Sequence, residues 1–266
     1  AQGAGGALME NGPVRLERAA RARFGRVARE RLPEGLAALV LRQAWAELVV
    51  TIGSRLRFRE SENARALRAY CAMSVADFEG VNARQKWANW RTIPRNLHRR
   101  LPSRPCRAVD LCSGVGDSTE VLACYLPEGS EILGLEYNSE FVERARGRIY
   151  RDAAGRPVKT EFRVQSVLEP FRDSAGRVLA DASVDLVNCC GALALNFRES
   201  EIDALAGEVR RVLRAGALAA IDAPAGREGK ERMIRLFARR GFEPLGSAQS
   251  CFLDRFSQIC FRRRAP

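Results

Sequence analysis

The sequence predicts an α/β protein: a seven-stranded, mostly parallel sheet, an antiparallel hairpin at its C-terminal edge, and an α-helical N-terminal extension. Three observations lead there. After Pro105, short apolar runs alternate with amphipathic stretches, the rhythm of strands joined by crossover helices. The last two strand-like runs, near Phe242–Ala248 and Phe256–Phe261, are separated only by a short turn near Asp254. That is too short for a crossover, so the two should pair antiparallel at one edge. Before Pro105, apolar residues recur at helical spacing.

A length of 266 residues suits one domain with an extension. Residues 1–13 are small and Gly-rich and are expected to be a flexible tail. Residues 14–104 are expected to form a helical lid or substrate region, and residues 105–266 the α/β domain. In the extension, Leu16, Ala19, Phe24, Val27 and Ala28 mark a first helix that Pro33 ends. Helices are predicted from Leu36 to about Arg55, from Glu60 to Met73 and from Asp77 to Arg91. Pro94, Pro102 and Pro105 then punctuate the approach to the sheet.

In the second part, strands are predicted at Arg107–Leu111, Glu131–Glu136, Lys159–Gln165, Val184–Cys190 and Ala217–Ala223. Helices are predicted at Ser118–Tyr125, Ser139–Tyr150, Glu201–Arg214 and Lys230–Arg240. The third of these should stop at Ala215-Gly216, since glycine tolerates the left-handed backbone that closes a helix.

The formal net charge is +12, and 46% of residues are apolar, enough to bury a core. Lysine occurs only at Lys86, Lys159 and Lys230, so arginine supplies nearly all the positive charge. Arginine clusters lie near both ends, Arg15–Arg31 and Arg262–Arg264, where basic residues are more often solvated than used for recognition. Eight cysteines without a C-x-x-C pair, and a single histidine, His98, argue against a structural zinc site. No metal is expected, and the thiols should be reduced in a cytoplasmic protein. No apolar run is long enough to span a membrane, and the first residues lack the pattern of a signal peptide.

The chemistry concentrates in Asp110-Leu111-Cys112-Ser113-Gly114-Val115-Gly116, where an apolar strand enters a small-residue loop and then a helix. Gly114 and Gly116 permit positive φ and let the backbone approach a ligand closely. The following helix offers free N–H groups at its start. Twenty-six residues after Asp110 comes Glu136, at the end of the second strand. A carboxylate there can accept both hydroxyls of a ribose.

This pattern resembles the class I S-adenosyl-L-methionine (SAM)-dependent methyltransferases, a Rossmann-like family, over about Cys106 to Phe261. The family's first motif is commonly D-L-G-x-G-x-G, matched by Asp110, Leu111, Gly114 and Gly116, with Cys112 in place of the first glycine. The resemblance implies a SAM cofactor, S-adenosylhomocysteine as product, a loop of Cys112, Ser113, Gly114 and Gly116 against the methionine portion, and Glu136 on the ribose. Tyr137 would pack on the adenine. Ser166 stands where the family often has an aspartate bonded to the adenine amino group, with Val167 beside it. Val184-Asp185-Leu186-Val187-Asn188 resembles the fourth-strand motif, which brings Asn188 to the methyl group. Arg211-Val212-Leu213-Arg214-Ala215-Gly216 resembles the family's R-V-L-x-P-G-G segment. A dinucleotide oxidoreductase fits less well, because Thr119 stands where a third glycine would be required.

Methyl transfer from a sulfonium is an in-line displacement that mainly needs the reactants held together. No catalytic residue is assigned. His98 lies in a polar linker and reads as solvated. Trp90, Arg91, Cys189, Cys190 and Phe197 are the residues expected to face the substrate, with Trp87 and Trp90 also offering an ordinary core face. The leading expectation is methyl transfer to a small organic acceptor, with the helical extension as lid and dimer surface. A second reading, motivated by the charge, is a methyltransferase acting on RNA or protein. A third is a SAM-binding protein without turnover. A fourth is a methyltransferase for a soft metalloid: Cys189-Cys190 would be the thiol site, and Asn188-Cys189 with the nearby Asn196 resembles the arsenite methyltransferases.

Overall fold

The fold is described from a computed structural model covering residues 26, 28–32, 34–54, 63–251, 254 and 256–265. The expected tail and most of the first predicted helix lie outside the described residues, although residues 28–31 are helical. Four helices then precede the sheet: α1 (Leu36–Ser54), α2 (Asn63–Cys71), α3 (Val75–Val81) and α4 (Ala83–Leu97). The stretch expected as one helix over residues 77–91 is two. Ser74 caps the start of α3, its hydroxyl accepting from the Asp77 N–H at 3.1 Å. Asn82 closes α3 by donating its side-chain amide to the Phe78 carbonyl at 3.0 Å, a local bond that competes with helix continuation. Pro94 does not end α4 but lies inside it, near its last turn.

The sheet strands are β1 (Arg107–Leu111), β2 (Glu131–Glu136), β3 (Lys159–Val164), β4 (Val184–Cys189), β5 (Leu213–Pro224), β6 (Phe242–Ala248) and β7 (Phe256–Arg263). Between them run α5 (Asp117–Tyr125), α6 (Ser139–Arg146), the single turn α7 (Leu193–Asn196), α8 (Glu199–Val212) and α9 (Arg227–Arg239). The strand order is β3-β2-β1-β4-β5-β7-β6. β1 to β5 pair in parallel, and β7 lies antiparallel between β5 and β6. The predicted hairpin therefore exists, with its second strand inside the sheet and its first strand at the edge.

The predicted helix stop at Ala215-Gly216 is displaced. α8 ends at Val212, and Leu213 is already a buried strand residue paired with Val184. Burial of Leu213 and pairing with β4 override the local signal. Gly216 keeps its positive φ of 77° within β5, next to a register shift in that pairing.

Two apolar clusters flank the sheet. One packs α8 and α9 on β4 and β5 through Leu205, Val209, Leu236 and Phe237. The other packs α4, α5 and α6 on β1 and β2 through Ile93, Leu97, Val121 and Val142. Among the described residues no helix is long and apolar enough to cross a membrane.

At the amino ends of the strands, Asp185 ties three of them together. It accepts from Arg104 Nη2 at 2.5 Å, Arg214 Nη1 at 2.6 Å and the Arg107 N–H at 2.9 Å. Burial pushes its pKa up, but these hydrogen bonds prevail and hold it at about 2, below the usual carboxylate range. A depressed folded pKa gives stability that is present above about pH 4 and lost as the pH falls toward 2. Asp185→Asn should therefore cost about 1–2 kcal/mol at neutral pH, the partners being half exposed. It should also flatten the loss of stability between about pH 4 and 2, measured by urea unfolding across that range.

Candidate functional site

The strand order reverses between β1 and β4, so the crevice lies beyond their carboxyl ends. Asp110 and Asn188 are directly paired across this point. Both are fully buried, and the Asn188 amide donates to Asp110 Oδ1 at 2.7 Å. Asp110 Oδ2 accepts from Ser118 at 2.7 Å and Thr119 at 2.6 Å, the second and third residues of α5. Burial raises the Asp110 pKa, and these three donors oppose the rise. The carboxylate thus holds the start of α5 over the end of β1. It is a framework for the loop, not an open ligand contact.

The polar chain continues through the core. Gln258 on β7 donates to Asn188 Oδ1 at 2.8 Å and to the Cys189 carbonyl at 3.0 Å. Asn96 on α4 donates to Gln258 Oε1 at 3.2 Å. Sequence reading missed Gln258 and Asn96. No local pattern singles them out: Gln258 stands in a strand that also carries Ser257, Arg262 and Arg263, and Asn96 follows Arg95 near the end of its helix.

The loop itself is tightly constrained. Cys112, Gly114 and Gly116 have φ of 51°, 53° and 88°. A Cβ on Gly114 would come within 2.8 Å of the Phe78 ring, and one on Gly116 would overlap the Tyr150 hydroxyl. Ser113 is buried, its N–H bonded to the Leu135 carbonyl at 3.1 Å, and its hydroxyl has no hydrogen-bond partner among the described residues.

Glu136 ends β2 and is almost completely buried. Its Oε2 accepts from the Gly114 N–H at 2.9 Å and from the Tyr70 hydroxyl at 3.1 Å. Its Oε1 accepts from the Asn138 N–H at 2.8 Å. Burial raises its pKa against the pull of those donors. Tyr70 comes from α2 and meets Phe78 and Phe141 edge-on at 5.6 and 5.2 Å. Phe78 lies 4.3 Å from Phe141. The helical extension therefore reaches the site through Tyr70 and Phe78. The sequence pointed to neither residue, and the contacts expected from this extension were at Trp90 and Arg91.

The other predicted residues divide. Tyr137 is exposed beyond β2. Ser166 makes a turn beyond β3, its hydroxyl accepting from the Leu168 N–H at 3.2 Å, while Val167 packs in the core. Trp90 is packed in the core with Ile93 and Leu97 and lines no open face. Arg91 is exposed and stacks over Trp87 at 4.3 Å. Cys189 is buried in the core with Cys112 against it, and Phe197 packs partly on the same cluster. Cys190 is half-buried and meets Gln85 Nε2 at 3.5 Å, while Gln85 also donates to Asn89 at 2.8 Å. His98 follows α4 and lies 3.4 Å from the Tyr125 hydroxyl, at the end of α5 away from the loop. Among the described residues no group of three or more His, Cys, Asp or Glu side chains is placed to hold a metal.

Asn188→Ala leaves a buried carboxylate oxygen and the Gln258 amide each short of a partner. The expected loss is about 2–3 kcal/mol of stability. In a double-mutant cycle by urea unfolding, Asn188→Ala and Gln258→Ala should fall well short of additivity, because they break one chain.

Residues 108–216 match the family model described as a methyltransferase domain. No curated protein matches the chain. Among solved structures, the chain is similar in fold to an S-adenosyl-L-methionine-dependent methyltransferase, so assigned, from Methanococcus maripaludis. That pair has 14% identity and a TM-score of 0.55 over 72% of this chain and 93% of the other. It is similar to the same degree, TM-score 0.55 and 16% identity over 72% and 96%, to a chain in the complex of the Haloferax volcanii Trm112 methyltransferase activator with a methyltransferase. At these identities the likeness is one of fold. With a matching domain model, a Rossmann-like strand order and a Gly-rich loop at the switch point, residues 108–216 carry a methyltransferase domain, and SAM is its cofactor.

Proposed function

We propose that this methyltransferase acts on a small organic acceptor. The observation that carries the reading is the cover that α3 and α4 form over the crevice. Phe78 lies on Gly114, and Gln85 closes on Cys190 and on Gly191, where a Cβ would come within 2.9 Å of it. A roofed crevice admits a small molecule more readily than an RNA helix or a folded protein. The positive charge that motivates a nucleic-acid reading is in part engaged internally: Arg148 pairs with Asp117 and Glu120, Arg211 with Glu208 and Asp181, and Arg240 with Asp203.

The residues present fit the cofactor. Glu136 is a buried acceptor whose Oε2 already takes a hydroxyl from Tyr70, as it would from a ribose. Gly114 and Gly116 supply the positive φ of 53° and 88° that the loop's path requires, with the Phe78 ring and the Tyr150 hydroxyl packed against them. Tyr137 and Leu168, exposed beyond β2 and β3, offer apolar surface for an adenine ring, with Ser166 beside them. Asn188 has its amide committed to Asp110 and Gln258, so we assign it to holding the loop and strand ends. When bound, SAM supplies an electrophilic methyl group on a sulfonium. The chain's task is to orient the acceptor and exclude water. Gln85 and Asn89 bring neutral amides to the end of β4, suited to orienting a polar acceptor by hydrogen bonds.

Glu136→Gln should weaken SAM binding by more than tenfold in calorimetry, because the charge-assisted acceptor is lost. In the parent protein, affinity should fall on acidification at a higher pH than an ordinary glutamate would give, since the binding form is the carboxylate and burial raises its pKa. Tyr70→Phe should strengthen SAM binding severalfold, because the cofactor ribose then competes with no internal hydroxyl. Weaker binding would instead make Tyr70 a cofactor contact. RNA association that weakens steeply with added salt would favour the nucleic-acid reading over the small acceptor.

A further inference from the structure

We infer that this chain forms a two-fold dimer through α1. The helix uses one side to join the rest of the molecule. Leu39 is buried, Gln43 Oε1 accepts from the Arg84 N–H at 3.1 Å, and Ala46 sits where a Cβ on Gly80 would come within 2.7 Å. On another side stand Leu41, Trp45, Leu48 and Ile52, spaced 4, 3 and 4 residues apart, and 71%, 68%, 51% and 70% exposed. That is the spacing of a helix–helix seam. A soluble helix ordinarily turns its polar face outward, and this one presents a tryptophan and three aliphatic side chains to solvent.

The seam is complementary to itself. In an antiparallel pair related by a two-fold between Trp45 and Leu48, Leu41 meets Ile52 of the partner copy and Trp45 meets Leu48. Every contact then occurs twice, as an isologous interface requires. Charge does not oppose this. The charged residues of α1 are Arg42 and Glu47, one of each sign. Arg42 is engaged by Glu34 at 3.2 Å, and Glu47 accepts from Gln43 at 2.8 Å. A neutral, self-complementary stripe suits a copy of the same chain better than an anionic lipid surface. At these exposures the four side chains offer on the order of 500 Å² on each copy, about 1,000 Å² when doubled, the least that a biological interface buries.

The pairing would also steady the cover of the site. α1 packs under α3 at Gly80, two residues from the Phe78 ring that lies on Gly114. This part of the inference rests on the proposed site; the dimer itself does not.

Sedimentation equilibrium of the full chain at micromolar concentration tests the interface, with Leu48→Arg and Ile52→Lys as separate variants. The expected result is a dimer for the parent and a monomer for both variants, with circular dichroism unchanged. Trp45 emission should shift to the red on dilution of the parent, and Trp45→Phe should abolish that shift. A parent that is monomeric at tens of micromolar overturns the inference. So does a folded Leu48→Arg or Ile52→Lys variant that stays dimeric, or a monomeric parent that floats with anionic vesicles. If one variant does not fold, the other and the dilution experiment still decide.

Discussion

The hydrogen bond between Asn188 and Asp110 is the constraint on which the rest of the site depends. It joins the two strands that diverge at the switch point, at the level where the Gly-rich loop leaves the sheet. A buried carboxylate without partners would be costly, and here it is satisfied by one amide and two hydroxyls. Because those hydroxyls belong to α5, the charge sets where the helix begins and hence the path of the loop before it. Gln258 and Asn96 extend the chain of bonds to the last strand and the covering helix. The cover and the crevice are thereby coupled through the core as well as across the opening.

Glu136 stands in contrast. Asp110 is saturated by framework donors. Glu136 takes two backbone N–H groups and one hydroxyl, that of Tyr70, from the helical extension. A tyrosine hydroxyl and a ribose hydroxyl are chemically equivalent donors to a carboxylate, and the proposed cofactor contact exchanges one for the other without leaving the buried charge bare. The aromatic cluster of Tyr70, Phe78 and Phe141 gives that exchange a hydrophobic lining. Two buried acids thus divide the work, one holding the switch point and one tying the loop to the helical extension.

The N-terminal helices have a dual character. α4 is anchored in the core by Trp90, Ile93 and Leu97, whereas α1 leaves an apolar stripe exposed. The same extension therefore contacts the Gly-rich loop on its inner side and leaves an apolar stripe exposed on its outer side. α3 lies between these two roles, with Gly80 against α1 and Phe78 against the loop.

The sequence by itself determined the α/β rhythm, the Gly-rich loop between β1 and α5, and the acid at the end of β2. Each of these is written in local periodicity or in backbone requirements that few residues meet. It also placed the closing hairpin correctly as antiparallel, because a short turn allows no other pairing. Only the tertiary structure decided which polar groups meet. Asn188 finds Asp110 through strand register, Gln258 arrives from 70 residues away, and Tyr70 reaches Glu136 across 66. It likewise moved the end of α8 to Val212 and sent Trp90 into the core, since burial against neighbouring elements outweighs local propensity. Spacing along a chain predicts which elements form. The partner of a buried amide is set by how those elements stack, and that depends on contacts no single segment contains.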